Sequence, residues 1–138
     1  MLSRASLELI APPEDVWAFV SEPYNLPDWW PGLGSVEPDR RGFAAGARWL
    51  VRMREPSLFR SAEAEDTLLV TAAEPMRFAF ELVRARIRAE LRLDAAGAGR
   101  TNAHLLVEEP FSVAFRRGRR AKDALDLLYD SVQTAAAV

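Results

Sequence analysis

The sequence predicts an α+β fold in which a curved antiparallel sheet of about seven strands wraps around a long C-terminal helix. Apolar and polar residues alternate with the two-residue period of a strand through most of the chain from Gly46 to Glu109. After Pro110 the spacing becomes helical, and one apolar stripe comprises Ala121, Leu125, Leu128, Tyr129 and Val132. Two short proline-bounded helical segments stand between the first strand and the rest of the sheet.

The N-terminal elements follow from proline positions and from alternation. Ser3–Ile10 alternates apolar and polar residues and stops at prolines, which predicts the first strand. Pro13, followed by two acidic residues, favours the start of a helix, and Pro23 ends that helix. Residues 26–32 are too short for a long helix, so we predict a single helical turn that ends at Pro31-Gly32.

The strands of the sheet show one apolar and one polar face. Val83–Asp94 gives the clearest alternation, and we predict that it forms a continuous strand. A glycine-containing turn at residues 95–99 leads into Thr101–Glu109, which runs back beside it. The C-terminal helix is the only predicted element long enough to cover the apolar face of this sheet.

Composition limits the classes of function. The chain has 138 residues, of which 49% are hydrophobic and 28% are charged, and this predicts one domain over residues 1–138. It contains no cysteine, which excludes disulfides, thiolate metal sites and cysteine nucleophiles. A net charge of −2 argues against a nucleic-acid partner. Signal peptide and membrane span are not indicated, so we expect a cytoplasmic protein without integral membrane association.

Two segments carry a family resemblance. ASLELIAPPEDVWAFVSEPYNLPDWWPGLGSVE, residues 5–37, resembles the opening of START-like proteins of the SRPBCC superfamily, often labelled polyketide cyclase/dehydrase or lipid-transport proteins. GAGRTNAHLLVE, residues 97–108, is similar to the glycine turn that enters their last strand. The resemblance implies a helix-grip fold and a single START-like ligand-binding domain. The superfamily includes carriers of lipids and hormones, polyketide aromatases and cyclases, and co-chaperone domains, so the resemblance alone does not decide the function.

A pocket is expected between the sheet and the C-terminal helix. One helix about 10 Å wide does not fill the concavity of such a sheet, and Ala85, Ala89 and Ala103 keep parts of the apolar face small. In similar proteins the short helical turn borders the cavity entrance, so we expect Trp29 or Trp30 at the pocket. The candidate ligand-binding residues are Trp29, Trp30, Trp49, Val51, Met53, Phe78, Phe80, Ile87, Leu91, Leu105, Val107, Leu125 and Tyr129.

Groups that could perform catalysis are sparse. His104, the only histidine, is predicted on the polar face, so neither a zinc site nor a nucleophilic triad is expected. The acidic groups Glu63, Glu65, Asp66 and Glu108-Glu109 are interpreted as solvated strand positions rather than a calcium site. No phosphate-binding glycine loop is present, and we predict no cofactor and no metal.

Two functional hypotheses remain. The favoured one is a binding protein that encloses a hydrophobic small molecule, lipid or polyketide-like, in the pocket. The alternative is a polyketide cyclase or dehydratase (aromatase) that uses the same pocket. For the alternative, the candidate catalytic residues are Glu109, at the end of the inward-facing series, and Tyr129, with Asp28 and Tyr24 near the mouth.

A basic run precedes and begins the last helix. It comprises Arg116, Arg117, Arg119, Arg120 and Lys122. Because a helix start disfavours cations, we expect these side chains to be exposed and replaceable at little cost in stability. The alternative is a patch near the pocket rim that docks a partner or an anionic head group. The sequence is compatible with a homodimer.

Overall fold

The structure, a computed structural model, describes residues 1–54, 65–110 and 119–136, with side chains of the last helix described as far as Gln133. The helices are α1 (Pro13–Val20), α2 (Leu26–Trp29) and α3 (Arg120–Ala136), with a 3₁₀ turn at Pro23–Asn25. The strands are β1 (Leu2–Leu9), β2 (Leu33–Glu37), β3 (Arg48–Met53), β4 (Glu65–Glu74), β5 (Arg77–Leu82), β6 (Ile87–Ala95) and β7 (Thr101–Glu108).

Within these described ranges the strands form one antiparallel seven-stranded sheet in the order β1-β7-β6-β5-β4-β3-β2. Helix α3 lies against β1 and β7, and α2 packs against α3. The α+β class, the sheet and the gripped C-terminal helix are therefore confirmed. No helix in the described part of the chain is both long enough and apolar enough to cross a membrane.

The apolar stripe of α3 faces the sheet as its spacing predicts. Ala121, Leu125, Leu128 and Val132 are buried, whereas Tyr129 is half-buried against the same core. Leu127, one position from Leu128, is 37% exposed on the other side of the helix. The helical period thus decides which residues of α3 stabilise the domain.

The predicted continuous strand from Val83 to Asp94 is wrong at its beginning. Strand β5 ends at Leu82, residues 83–86 form a turn, and β6 begins at Ile87. The carboxylate of Asp66 accepts backbone N–H groups of Arg84 at 2.7 Å and Ala85 at 3.0 Å, and Arg86 adopts a positive φ of 59°. A side chain from β4 therefore fixes a turn that alternation along the chain does not reveal.

Aromatic rings fill the part of the concave face that lies over β3 and β5. The centroids of Trp30 and Phe80 are 5.0 Å apart, and those of Phe43 and Phe78 are 4.8 Å apart. Trp49 adds its ring to this cluster and donates its indole N–H to the carbonyl of Gly42 at 2.8 Å. The core thus divides between aliphatic packing under α3 and aromatic packing beside it.

Candidate functional site

A recess opens where the first turn of α3 meets one end of the sheet. Its volume is about 300 Å³. It is lined by Trp30, Pro31, Met53, Glu65, Asp66, Leu82, Arg84, Ala85, Ile87 and Arg120. Apolar side chains from the segment that follows α2 and from β3, β5 and β6 thus meet a small group of charged side chains in one concave place, which is the composition typical of a small-molecule site.

The recess contains some of the predicted ligand-binding residues. Trp30, Met53 and Ile87 line it. The others form the packed core: Trp29, Trp49, Val51, Phe78, Phe80, Leu91, Leu105, Val107 and Leu125 are each at most 2% exposed, and Tyr129 is half-buried. An apolar molecule would reach those side chains only by displacing rings and aliphatic groups that already pack together.

Two larger recesses, of about 460 and 380 Å³, lie on the opposite face of the sheet. Their walls carry charged side chains that already pair with one another, such as Arg77 with Glu90 at 2.9 Å and Arg92 with Glu90 at 3.0 Å. Their size exceeds that of the recess at α3. Their charged, internally paired walls nevertheless offer less apolar surface to a hydrophobic molecule.

A buried ion pair stands beside the recess at α3. Glu109 follows β7, and its side chain is 3% exposed; it accepts a hydrogen bond from Nε of Arg120 at 2.9 Å. The side chain of Arg120 is 23% exposed and lines the recess. The backbone N–H of Glu109 also donates to the carbonyl of Met1 at 2.9 Å, which ties the acid to the start of β1.

The expectation that the basic run is an exposed face is wrong for Arg120. A buried carboxylate needs a cation close by, and Arg120 supplies it. Arg119 and Lys122 are exposed as expected, and Lys122 pairs with Asp126 at 2.9 Å. Arg116 and Arg117 lie outside the described residues.

A signal for this pair exists in the sequence. Glu109 continues the inward-facing series of Ala103, Leu105 and Val107, so alternation alone places a carboxylate on the apolar face. An inward carboxylate predicts a cationic partner, and the basic run is the nearest source along the chain. Which arginine supplies the charge depends on how α3 docks, and this is tertiary information.

The acids at the mouth of the recess are already bonded. Asp66 is buried and accepts three backbone N–H groups, from Thr67, Arg84 and Ala85. Glu65 accepts a hydrogen bond from Nε of Arg52 at 2.8 Å, and this bond raises the pKa of Arg52 above its ordinary value. Glu63 lies outside the described residues, and within those residues no three His, Cys, Asp or Glu side chains group closely enough to hold a metal ion.

His104 lies on the polar face of the sheet, away from the recess. Oγ of Ser6 lies 2.8 Å from its Nδ1, and Oδ2 of Asp94 lies 3.1 Å from its Nε2. A serine hydrolase also needs N–H donors that converge on the substrate oxygen, whereas an extended strand directs its N–H groups along the plane of the sheet. All three side chains are exposed, so the arrangement is a surface hydrogen-bond row rather than a nucleophilic site.

The remaining candidates for proton transfer are not at the recess. Tyr24 is exposed on the 3₁₀ turn, and Asp28 is exposed on α2, where its backbone carbonyl accepts a hydrogen bond from Ser131 at 3.3 Å. Among the described residues, the lining of the recess includes neither of these side chains nor that of Tyr129. Of the predicted catalytic residues, only Glu109 therefore lies beside the recess, where it accepts a hydrogen bond from Arg120.

Several solved structures share this fold. A protein from Bacillus thuringiensis superposes with a TM-score of 0.73 at 12% identity, over 96% of this chain and 99% of that one. A norcoclaurine synthase mutant from Thalictrum flavum, in complex with a transition-state analogue, gives 0.66 at 13% identity, over 99% and 96%. BexL, a di-domain aromatase/cyclase, gives 0.72 at 16% identity, over 96% of this chain and 46% of that one. At such identities these similarities establish the fold alone.

Comparison of the sequence with protein families gives a more specific result. No curated protein matches the chain significantly. The family described as polyketide cyclase / dehydrase and lipid transport matches residues 3–133, which is nearly the whole chain. The chain therefore belongs to the polyketide cyclase/dehydrase and lipid transport family.

Proposed function

We propose that this protein binds a hydrophobic small molecule between the sheet and the C-terminal helix, at the recess beside the first turn of α3. The observation that carries the proposal is the juxtaposition of buried apolar side chains, Trp30, Leu82 and Ile87, with a concave space of about 300 Å³. Burial of hydrocarbon against such a wall stabilises a complex by about 25 cal/mol per Å² of apolar surface before the costs of association.

Binding is favoured over catalysis by the state of the buried acid. A general acid or base must be able to exchange a proton with the substrate. Glu109 instead accepts the Nε–H of Arg120, and its side chain is almost fully enclosed. The pair holds the guanidinium of Arg120 in place, and the carboxylate of Glu109 is bonded to that guanidinium rather than open to a substrate.

The cyclase alternative rests on family membership and on the same recess. It requires that a polyketide-like substrate be folded by the shape of the wall, with Glu109 or Tyr129 moving protons. Incubation with a reactive poly-ketone, followed by comparison of the product pattern with a buffer control, tests it. Altered products that disappear in Glu109→Gln or in Tyr129→Phe would replace the carrier function with an enzymatic one.

Binding itself is tested with N-phenyl-1-naphthylamine, a neutral fluorescent probe. We expect saturable fluorescence enhancement, energy transfer from tryptophan and a raised melting temperature. Met53→Gln places a polar group in the wall of the recess, whereas Leu50→Gln changes a half-buried residue of the same strand outside it. Met53→Gln should weaken probe binding and Leu50→Gln should not; an equal effect, or no binding to the unmodified protein, would overturn the proposal.

A further inference from the structure

We propose that the recess prefers apolar molecules that end in a carboxylate, and that the guanidinium of Arg120 binds this carboxylate. The inference rests on the proposed function, because it names the chemical class of the molecule that the same recess takes up. It adds a polar determinant, held in place by Glu109, to a site that otherwise offers hydrocarbon contacts.

The guanidinium of Arg120 has one edge that is not used by Glu109. Arg120 uses Nε to bind Glu109 at 2.9 Å, and among the described residues no partner bonds its two terminal nitrogens. A guanidinium is planar and presents donors along more than one edge, so an acid on Nε fixes the plane and leaves the Nη1/Nη2 edge for a second acceptor. A carboxylate matches that edge with two parallel hydrogen bonds.

The acidic and basic side chains around the recess differ in whether they already have partners. Asp66 is occupied by three backbone N–H groups and Glu65 by Arg52, so both acids of the lining already have donors. The side chain of Arg84, which also lines the recess, has no bonded partner among the described residues. A cation without a bonded partner in the described part of the chain thus lines the same recess as Arg120.

The N-terminal end of α3 lies at the recess. Arg120 is the first residue of a helix of 17 residues. The start of a helix carries a partial positive charge, and an anion is stabilised there. An anionic group at the recess would therefore meet this partial charge together with both arginines, while its hydrocarbon part contacts Trp30, Leu82 and Ile87.

The experiment compares decanoate with 1-decanol, which share a chain length and differ in the head group. Isothermal titration calorimetry on the full chain at low ionic strength should give about tenfold tighter binding of decanoate, as expected for hydrogen bonds to a charged group. Added salt should reduce this preference. Equal affinities would overturn the inference and leave the proposed function intact, whereas failure of both molecules and of the neutral probe would overturn both.

Two variants should act in opposite directions, which misfolding does not explain. Glu109→Gln removes a negative charge beside Arg120 while keeping an acceptor for Nε, so decanoate should bind more tightly. Arg120→Gln should abolish the preference for decanoate over decanol. Arg88→Gln, an exposed arginine on the polar face, is the matched control and should leave the preference unchanged.

Folding of the Arg120 variant is controlled separately. If Arg120→Gln alone does not fold, the double variant Glu109→Gln/Arg120→Gln leaves no unpaired buried charge and should fold without discriminating between the two molecules. Arg120→Lys keeps the charge without the planar edge and should retain only part of the preference. A full preference for decanoate in the double variant would overturn the assignment of the carboxylate to Arg120.

Discussion

Oε2 of Glu109 lies 2.9 Å from Nε of Arg120, and this contact joins the end of β7 to the first residue of α3. The side chain of Glu109 is 3% exposed and that of Arg120 is 23% exposed, so the carboxylate belongs to an almost fully buried residue. Such a pair contributes little relative to two apolar residues, but removing one partner leaves the other charge buried and unpaired.

Arg120→Gln should therefore lower the free energy of unfolding by about 3 kcal/mol at neutral pH. Chemical denaturation monitored by circular dichroism measures this change. Arg119→Gln, at an exposed neighbouring position, should change the stability by less than about 0.5 kcal/mol. Indistinguishable denaturation midpoints for the two variants would show that the pair does not form in solution.

Asp66 should be required for the β5–β6 turn. Asp66→Ala removes the acceptor of three backbone N–H groups and leaves those donors without it, which should cost about 2 kcal/mol. Hydrogen exchange should accelerate at the amides of Arg84 and Ala85 more than elsewhere in the sheet. Asp126→Ala, which loses an exposed pair with Lys122, is the control and should leave those amides unchanged.

Neighbouring leucines of α3 should differ sharply in their contribution to stability. Leu128→Ala creates a cavity in the core and should lower the free energy of unfolding by about 3 kcal/mol, whereas Leu127→Ala, at a partly exposed position, should have an effect of about 0.5 kcal/mol. Thermal or denaturant unfolding of both variants measures the two losses in unfolding free energy. Similar losses at the two positions would contradict the orientation of α3.

Asp39 should contribute to stability in a pH-dependent way. The backbone N–H of Arg48 donates to its carboxylate at 2.9 Å, and this bond, with that from Arg41, lowers the pKa of Asp39 below its ordinary value. A depressed pKa in the folded state means that the ionised form stabilises the fold above the unfolded value, 3.8, and that this stabilisation is lost as the pH falls through the folded pKa.

The measurement is the difference in unfolding free energy between the unmodified protein and Asp39→Asn across a pH series. Near neutral pH the unmodified protein should be the more stable of the two. The difference should shrink as the pH falls below about 4, since Asp39 then becomes protonated in the folded state as well. A difference that stays constant over this range would show that Asp39 has the same pKa in the folded and unfolded states.

Local patterns in the sequence predict those helices and strands in which one side faces the core and the other faces solvent. Alternation locates β7, and helical spacing gives the buried side of α3, because each pattern needs only to know which side of the element faces the core. Alternation does not predict the turn at residues 83–86, because Val83 and Ala85 continue the alternating pattern. The turn is stabilised by the carboxylate of Asp66, on β4, which accepts backbone N–H groups from it. The periodicity of apolar residues contains no information about a hydrogen bond from a side chain that is distant in the sequence.

The same limit applies to the candidate site. Trp30, Met53 and Ile87 are recognisable as inward-facing residues, but the pattern does not distinguish these three, which line the recess, from the other predicted ligand-binding residues, which do not line it. That distinction depends on how the rings of Trp29, Phe43 and Phe78 fill the concavity. The alternation along β7 predicts that the side chain of Glu109 faces inward. Its pairing with Arg120 depends on how α3 packs against the sheet.

The position of β1 in the sheet has a consequence for the order of folding. Strands β2 to β7 each pair with their neighbour in the chain, so they can form as successive hairpins whose strands are much closer in the sequence than β1 and β7 are. Strand β1 pairs instead with β7, with Leu9 opposite Thr101, and closing so large a loop costs more entropy than closing any hairpin. We expect β1 to join the sheet after the hairpins have formed, so that on a ribosome it emerges before strands β2 to β7 and yet acquires its partner strand last.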